Sequence, residues 1–273
     1  MTLKECDTKV DSDNNQIIEL LNADIYGEHD AILYYLTHAW TVARQYGHEI
    51  LEIAYDEMRH FKWLAHTIVG LGGRPVLRTP QITSITTIAA ALQNDVDAEI
   101  HAIEQYEEHR EIIPNPEVKA LLARIITDER HHLHIFRGLL DQTHGEPEKL
   151  DRQDKDVSVI ASRLQSTMNL EYQQTMAYLL RSFVENHSQR IGLDMEERSI
   201  DEMRHMGWIG KMMGQSGLEP RFAEPETLNQ VREGTREEEA LFHDVREWAN
   251  RAMPGMVPTI DRILEQEHYH IQS

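Results

Sequence analysis

The sequence contains one cysteine, Cys6, among 273 residues. A single cysteine excludes a disulfide framework, a four-cysteine iron site and a cysteine-based zinc site within one chain. It is typical of a reducing compartment, so we expect a cytoplasmic protein. Long apolar runs are also missing. None approaches the roughly 18–20 residues that span a bilayer, and the polar residues 1–16 lack the apolar core of a secretion signal, so we expect no membrane partner.

Positive charge is scarce. Lys and Arg number 27 against 47 Asp and Glu, which gives a formal net charge of −20. Such an acidic surface opposes binding to nucleic acid or anionic lipid and favours the attraction of cations. The hydrophobic fraction of 40% is that of an ordinary globular protein, and the length is sufficient for two domains of about 100–200 residues each.

The two halves of the chain repeat each other. Residues 56–60 read Asp-Glu-Met-Arg-His, and residues 201–205 read the same, with a tryptophan following at the same distance. Glu-x-x-His recurs at Glu129 and at Glu267, and each time a proline lies at the same distance upstream. A repeat of this length indicates a tandem duplication.

Each half is predicted to form four helices. In the first half, the first helix runs from Asn14 or Asn15 to about Gly47, and the second follows a short turn and ends at Gly72-Gly73. The third runs from about Ser84 to Ile112, and the fourth begins near Pro116. The second half has them near residues 157–190, 193–217, 226–252 and 257–271. Short, long and short connections favour a bundle with one crossover between its second and third helices.

The predicted fold class is therefore all-α, with two tandem four-helix bundles. The first domain covers residues 15–144 after a polar tail at 1–14, and the second covers 157–273. A linker at 145–156 separates them, where Gly145, Pro147 and a cluster of charges interrupt the helical periodicity.

Each helix of the first half carries one glutamate in the middle of its apolar stripe. These are Glu28, Glu57, Glu99 and Glu129, and apolar residues lie three, four and seven positions away on the same face. His60 and His132 follow Glu57 and Glu129 by three residues and share their stripes.

Four carboxylates that converge in a core repel one another, and each is costly to bury. Two divalent cations cancel their charge, and glutamate oxygens with imidazole nitrogens suit iron or manganese. One glutamate from each of two helices, with Glu-x-x-His from each of the other two, is the ligand pattern of dinuclear carboxylate bundles.

The same rule applied to the second half gives Glu171, Glu202, His205, Glu267 and His270. The ligand on its third helix stays open between Glu237, which the spacing from the proline favours, and Glu238, which has the more apolar stripe. We choose Glu238 on the physical argument.

These motifs resemble the ferritin-like superfamily, and bacterioferritin most closely. The resemblance lies in residues 199–205, 94–99 and 128–132, and it extends over about 15–143 and 157–271, so both bundles are expected to be ferritin-like. It implies a ferroxidase that binds ferrous iron at di-iron centres and oxidises it with dioxygen or hydrogen peroxide, in a homo-oligomer. Glu57 and Glu129 would bridge the metals, and the remaining ligands of that half would be terminal.

The resemblance also implies roles for residues outside the ligand set. Tyr35 and Tyr178 match a tyrosine beside the family's metal site, and packing in the core is the alternative for both. Met58 and Met203 match a methionine that ligates haem in the family, so haem is a second cofactor hypothesis, with packing on an outer helix face as the alternative.

Two other functions stay open at this stage. One is removal of peroxide by a di-iron or di-manganese peroxidase or catalase. The other is a non-catalytic bundle that buffers metal.

Overall fold

The computed structural model describes residues 3–41, 44–143, 157–184, 189–223 and 231–272, with side chains for 14–41, 44–143, 160–183, 194–223 and 239–270. Eight α-helices and no strand occur in these residues, which confirms the all-α prediction. The helices are α1 (Leu3–Trp40), α2 (Gly47–Gly70), α3 (Ile88–Ile112), α4 (Pro116–Gln142), α5 (Val157–Val184), α6 (Gln189–Gln215), α7 (Val231–Ala252) and α8 (Val257–Gln272).

The described helices divide into two compact units. The first contains α2, α3, α4 and α1 up to Ala39, and the second contains α5 to α8. In the first unit α3 packs against α4, and α2 packs against α4. In the second, α5 packs against α6 and α7, and α8 packs against α7 and α6. The prediction of two tandem four-helix bundles is thus confirmed.

The long connection of each bundle begins with the same C-terminal cap. Gly72 has φ +86° and Gly217 has φ +70°. In the first bundle the amides of Gly73 and Gly72 donate to the carbonyls of Ile68 and Val69, at 2.9 and 3.0 Å. This is a Schellman motif, which needs the left-handed backbone that glycine adopts without strain. The Gly72-Gly73 stop was predicted correctly.

The bounds of α1 differ from the prediction at both ends. The helix begins at Leu3, not at Asn14 or Asn15, so residues 3–14 of the predicted polar tail belong to the helix. Residues 3–13 contain neither proline nor glycine, so nothing in them stops the helix. At the other end, Gly47 begins α2, and α1 already ends at Trp40. A Cβ on Gly47 would lie 3.0 Å from the carbonyl oxygen of Ala39, so glycine allows this close approach.

Helices α3 and α4 begin at side-chain caps. Thr87 accepts a hydrogen bond from the Ala90 amide at 3.2 Å, so α3 starts at Ile88 and not near Ser84. Asn115 accepts from the amides of Glu117 and Val118, and Pro116 occupies the first turn of α4 as predicted. These caps fix where the two helices start, and thereby which of their residues face the core.

The predicted apolar stripes form the core of the first bundle. Its buried members include Leu21, Ile25, Ile32, Ile50, Ile53, Leu64, Leu92, Val96, Leu122, Ile125, Ile126 and Phe136. The glutamates on those stripes are buried as well, each with at most 4% of its surface exposed. The core of this bundle therefore surrounds a cluster of carboxylates.

No helix in the described part of the chain is long and apolar enough to cross a membrane.

Candidate metal centre

Two histidines of the first bundle each point Nδ1 at three carboxylates. His60 Nδ1 lies 2.9 Å from Glu57 Oε2, 3.0 Å from Glu129 Oε1 and 3.7 Å from Glu28 Oε1. The geometry at His132 is equivalent, with Glu57, Glu129 and Glu99 as neighbours. Its Nδ1 lies 3.0 Å from Glu57 Oε1, 3.2 Å from Glu129 Oε2 and 3.9 Å from Glu99 Oε1. Ligand atoms at these spacings form two four-residue groups that could each hold one metal ion.

The two groups share two carboxylates. Glu57 directs one oxygen to His60 and the other to His132, and Glu129 does the same. Glu28 approaches only His60, and Glu99 approaches only His132. The orientation of the oxygens therefore divides the carboxylates into a shared pair, Glu57 and Glu129, and a single-sided pair, Glu28 and Glu99.

A carboxylate from the opposite helix lies behind each histidine. Asp128 Oδ2 of α4 is 3.4 Å from His60 Nε2, and Asp56 Oδ2 of α2 is 3.4 Å from His132 Nε2. A carboxylate on the outer nitrogen of an imidazole fixes its orientation and leaves the inner nitrogen as the ligand. Trp63 packs against His60, with ring centroids 5.7 Å apart.

Sequence reasoning missed a second tyrosine at the centre. Tyr35 of α1 donates a hydrogen bond of 2.7 Å to Glu99 Oε1 of α3. Tyr106 of α3 donates in the opposite direction, to Glu28 Oε1 of α1. Both tyrosines are buried. Each single-sided carboxylate is thus held by a hydroxyl from the helix opposite its own.

A repeated motif in α1 and α3 would have revealed Tyr106. The pattern Asp-x3-Glu-x6-Tyr-x2-His occurs from Asp24 to His38 and again from Asp95 to His109. Its outer members also pair across the two helices. His109 Nδ1 lies 2.7 Å from Asp24 Oδ1, and His38 Nδ1 lies 2.8 Å from Asp95 Oδ1. The first bundle therefore has an internal two-fold repeat, in which α1 and α3 carry the same four polar residues in the same order.

The electrostatics of the first centre show how protons balance its charge. Burial alone would raise the pKa of Glu57, but the adjacent Nδ1–H groups and positive charges of His132 and His60 lower it to about 2. Burial alone would lower the pKa of His132, but the adjacent carboxylates of Glu129 and Glu57 raise it to about 10. Burial also opposes protonation of His60, but the carboxylates of Glu28, Glu129 and Glu57 raise its pKa. Burial and neighbouring carboxylates raise the pKa values of Glu28 and Glu99 well above their ordinary range.

Buried oxygens without a hydrogen-bond partner show that protons satisfy this site only in part. A single Nδ1–H group donates a well-directed hydrogen bond to only one oxygen at a time. His60 donates to Glu57 Oε2 and His132 to Glu129 Oε2. Within the described residues, Glu57 Oε1, Glu129 Oε1 and Glu99 Oε2 have no hydrogen-bond partner. Unsatisfied buried carboxylate oxygens around imidazole nitrogens are what a cation would satisfy, so the residues fit a dinuclear metal site.

A cavity of about 330 Å³ leads to this centre between α1 and α3. Its inner wall includes the four glutamates, Tyr35 and Tyr106. Asp97 and His101 line it as well and are exposed, so it reaches the surface of the bundle. A small ion or molecule has space to approach Glu28 and Glu99 by this route.

The second bundle repeats the inner geometry. His205 Nδ1 lies 2.9 Å from Glu267 Oε1, 3.2 Å from Glu202 Oε2 and 3.3 Å from Glu171 Oε2. His270 Nδ1 lies 3.2 Å from Glu202 Oε1 and 3.9 Å from Glu267 Oε2. Glu202 and Glu267 thus face both histidines, as Glu57 and Glu129 do. Burial opposed by the two histidines leaves the pKa of Glu202 at about 2, and its carboxylate neighbours raise the pKa of His270 to about 9.

The structure describes the side chains of three of the four glutamates expected around these two histidines. Glu237 and Glu238 lie on α7, but their side chains are outside the described residues, so Glu238 stays a prediction. Tyr178 is buried near the second centre, with its ring centroid 6.4 Å from that of His270. Trp208 packs on His205 as Trp63 does on His60, at 5.9 Å.

The methionines predicted to bind haem are both half-buried. Met58 lies on α2 in the first unit, and Met203 lies on α6 in the second. Haem binding by these residues stays a prediction.

Comparison with known proteins identifies the class of the first bundle. Residues 18–145 match the model of the ferritin family, described as a ferritin-like domain. No curated protein matches the chain. The chain thus contains a ferritin-like domain at residues 18–145, followed by a second four-helix bundle with the same inner residues.

Two solved structures are similar to part of the chain. A ferritin-like diiron-carboxylate protein from Bacillus anthracis is 29% identical over 47% of this chain and 97% of its own, with a TM-score of 0.44. The bacterioferritin of Desulfovibrio desulfuricans, whose structures show its diiron site in different catalytic states, is 22% identical over 49% of this chain and 82% of its own, with a TM-score of 0.45. Both TM-scores are low, so the fold assignment rests on the family match and on the helices of this chain.

Proposed function

We propose that this protein is a ferroxidase, which binds pairs of ferrous ions between its glutamates and histidines and oxidises them. The observation that supports this most directly is the shared orientation of Glu57 and Glu129 in the first bundle. Each gives one oxygen to the His60 side and the other to the His132 side. Carboxylates that face two ligand groups at once suit two metal ions and not one.

The reaction needs two electrons from each pair of ferrous ions. With dioxygen it is 2 Fe²⁺ + O₂ + 2 H⁺ → 2 Fe³⁺ + H₂O₂, and with peroxide it is 2 Fe²⁺ + H₂O₂ + 2 H⁺ → 2 Fe³⁺ + 2 H₂O. Holding both ions in one site makes the two electrons available together. The four glutamates of a centre compensate the charge of the bound ions.

The residues around the ligands position the terminal carboxylates and exclude water. Tyr35 and Tyr106 each hold a proton on their hydroxyl and donate it to Glu99 and Glu28. Burial raises the pKa of both tyrosines well above the ordinary value, so both stay protonated at neutral pH. The acidic lining of the cavity between α1 and α3 favours the approach of a cation over that of an anion.

A metal-loading experiment tests this proposal. Metal-free protein is loaded with ferrous iron under anaerobic conditions, its iron content is measured, and oxygen uptake is followed after air is admitted. We expect two irons for each centre that fills, and oxygen consumption in proportion to the iron. Iron binding without oxygen consumption would support a metal buffer, and rapid turnover of peroxide by the manganese-loaded protein would support a catalase.

Variants connect the activity to the residues. Glu57→Ala with Glu129→Ala should remove rapid oxidation at the first centre, and Glu202→Ala with Glu267→Ala should remove it at the second. Glu52→Ala is the matched control, because Glu52 is exposed on the same helix as Glu57. Rapid oxidation that survives all four ligand substitutions would contradict the site assignment.

Three further expectations belong to the same proposal. A cytoplasmic location is supported by the single cysteine. A homo-oligomer is implied by the resemblance, and light scattering measures it. Haem between methionines predicts a sharp absorbance band near about 410–425 nm in the purified protein, as expected for a ligated haem.

A further inference from the structure

The two centres share their inner residues but differ immediately behind them. In the first bundle, the outer nitrogen of His60 lies 3.4 Å from Asp128 Oδ2. In the second, the outer nitrogen of His205 lies 3.2 Å from Gln266 Oε1. Gln266 precedes Glu267 just as Asp128 precedes Glu129. A neutral amide thus occupies the place of a carboxylate.

A buried arginine lies beside the second centre. Arg198 is 9% exposed, and its Nη1 donates a hydrogen bond of 3.1 Å to the carbonyl oxygen of His270. Its guanidinium carbon is 5.8 Å from the centroid of the Tyr178 ring. Its Nε lies 3.4 Å from Oδ2 of Asp194, which is exposed.

The first centre has no charge at the equivalent position. When the two Asp-Glu-Met-Arg-His segments are superimposed in sequence, Arg198 corresponds to Ile53. Ile53 is a core residue with 2% of its surface exposed. The second centre therefore gains a buried positive charge and loses a negative one relative to the first.

We propose that the second centre binds divalent cations more weakly than the first, and that Arg198 and Gln266 cause the difference. A buried cation repels a divalent ion through a medium that screens poorly. An amide stabilises a metal-bound imidazole less than a carboxylate does, because it carries no charge. Both are positioning residues that act through the histidines and the local field. The inference rests on the proposed function only in requiring that both centres bind metal.

Anaerobic titration of the metal-free, full-length protein with cobalt(II), followed by its visible absorption, tests the difference. Glu57→Gln with Glu129→Gln leaves only the second centre intact, and Glu202→Gln with Glu267→Gln leaves only the first. We expect the dissociation constant of the second centre to exceed that of the first by about tenfold or more, the scale on which residues behind a ligand change metal affinity.

Single substitutions then assign the cause. In the protein with only its second centre, Arg198→Met and Gln266→Asp should each tighten cobalt binding. In the protein with only its first centre, Asp128→Asn should weaken it by about 10–100-fold. Lys211→Met and Asp141→Asn are matched controls, since both residues are exposed on α6 and α4 and should leave the affinity unchanged.

Each outcome decides between the possibilities. Equal affinities at the two centres would overturn this inference and leave the proposed function intact. If neither Arg198→Met nor Gln266→Asp changes the cobalt affinity of the second centre, the assignment to these residues is overturned. If Arg198→Met fails to fold by circular dichroism, Gln266→Asp and Asp128→Asn still give the answer. Failure of both centres to bind cobalt or ferrous iron would overturn the proposed function itself.

Discussion

The hydroxyl of Tyr35 on α1 donates a hydrogen bond of 2.7 Å to Glu99 on α3. The hydroxyl of Tyr106 on α3 donates a corresponding hydrogen bond to Glu28 on α1. The single-sided carboxylates of the first centre are therefore each oriented by the helix opposite their own, whereas the shared carboxylates are oriented by the histidines. These crossed hydrogen bonds connect the packing of α1 and α3 to the geometry of the proposed metal site.

Loss of a tyrosine hydroxyl should impair metal binding as well as oxidation. Tyr106→Phe leaves Glu28 without its donor and should destabilise the metal-free protein by about 1 kcal/mol, the usual contribution of such a hydrogen bond. We also expect weaker cobalt binding at the first centre, because Glu28 is no longer held in position. Unfolding in urea and cobalt titration measure the two effects. Tyr26→Phe is the control, since Tyr26 is exposed on α1, and an equal effect there would contradict the assignment.

The buried histidine–aspartate pairs between α1 and α3 should contribute strongly to stability. His38 pairs with Asp95 at 2.8 Å, and both are at most 2% exposed. Asp95→Asn should destabilise the protein by about 3–5 kcal/mol, as expected when one partner of a buried pair is removed. A double-mutant cycle with His38→Gln measures the coupling. Additive losses in that cycle would contradict a direct interaction, and Asp97→Asn is an exposed control on α3.

The clustering of buried glutamates and histidines could be predicted from the sequence, because the helical period places each glutamate on an apolar stripe and the duplication repeats the pattern. Glu57 and His60 were found in this way, and the structure places them side by side. Tyr106 was missed because the two halves were compared with each other, whereas its partner motif lies within the first half. The bounds of α1 were wrong because cap residues in a sequence show where a helix is able to begin, not where it does.

Glutamates of one centre should differ in their effect on the stability of the metal-free protein. Glu57→Gln should lower the free energy of unfolding at pH 7 by about 1–3 kcal/mol, because two protonated histidines lose their shared carboxylate. Glu99→Gln should be neutral or raise it, because it removes a repelled buried charge and keeps an acceptor for Tyr35. Urea unfolding distinguishes the two, with exposed Glu104→Gln as control. Similar shifts for both variants would show that the histidines do not carry the charge inferred for them.

The stability of the metal-free protein should fall as the pH rises above about 6.5, whereas metal binding should strengthen over the same range. The folded pKa of Glu57, about 2, lies below its ordinary 4.5, so its contribution is present above pH 4.5 and is lost as the pH falls toward 2. The folded pKa of His132, about 10, lies above its ordinary 6.5, so its contribution is present below pH 6.5 and is lost as the pH rises toward 10.

Metal binding requires the deprotonated imidazole, so metal and proton compete for Nδ1 of His132 and of His60. We therefore expect cobalt to raise the melting temperature more at pH 8.5 than at pH 6, and its binding to release protons into a weak buffer. Thermal unfolding by circular dichroism with and without cobalt measures the first effect, and a pH indicator measures the second. His134→Gln is the control, since His134 is exposed on α4. An equal rise in melting temperature at both pH values would mean that the metal does not displace these protons, and that the histidines are not its ligands.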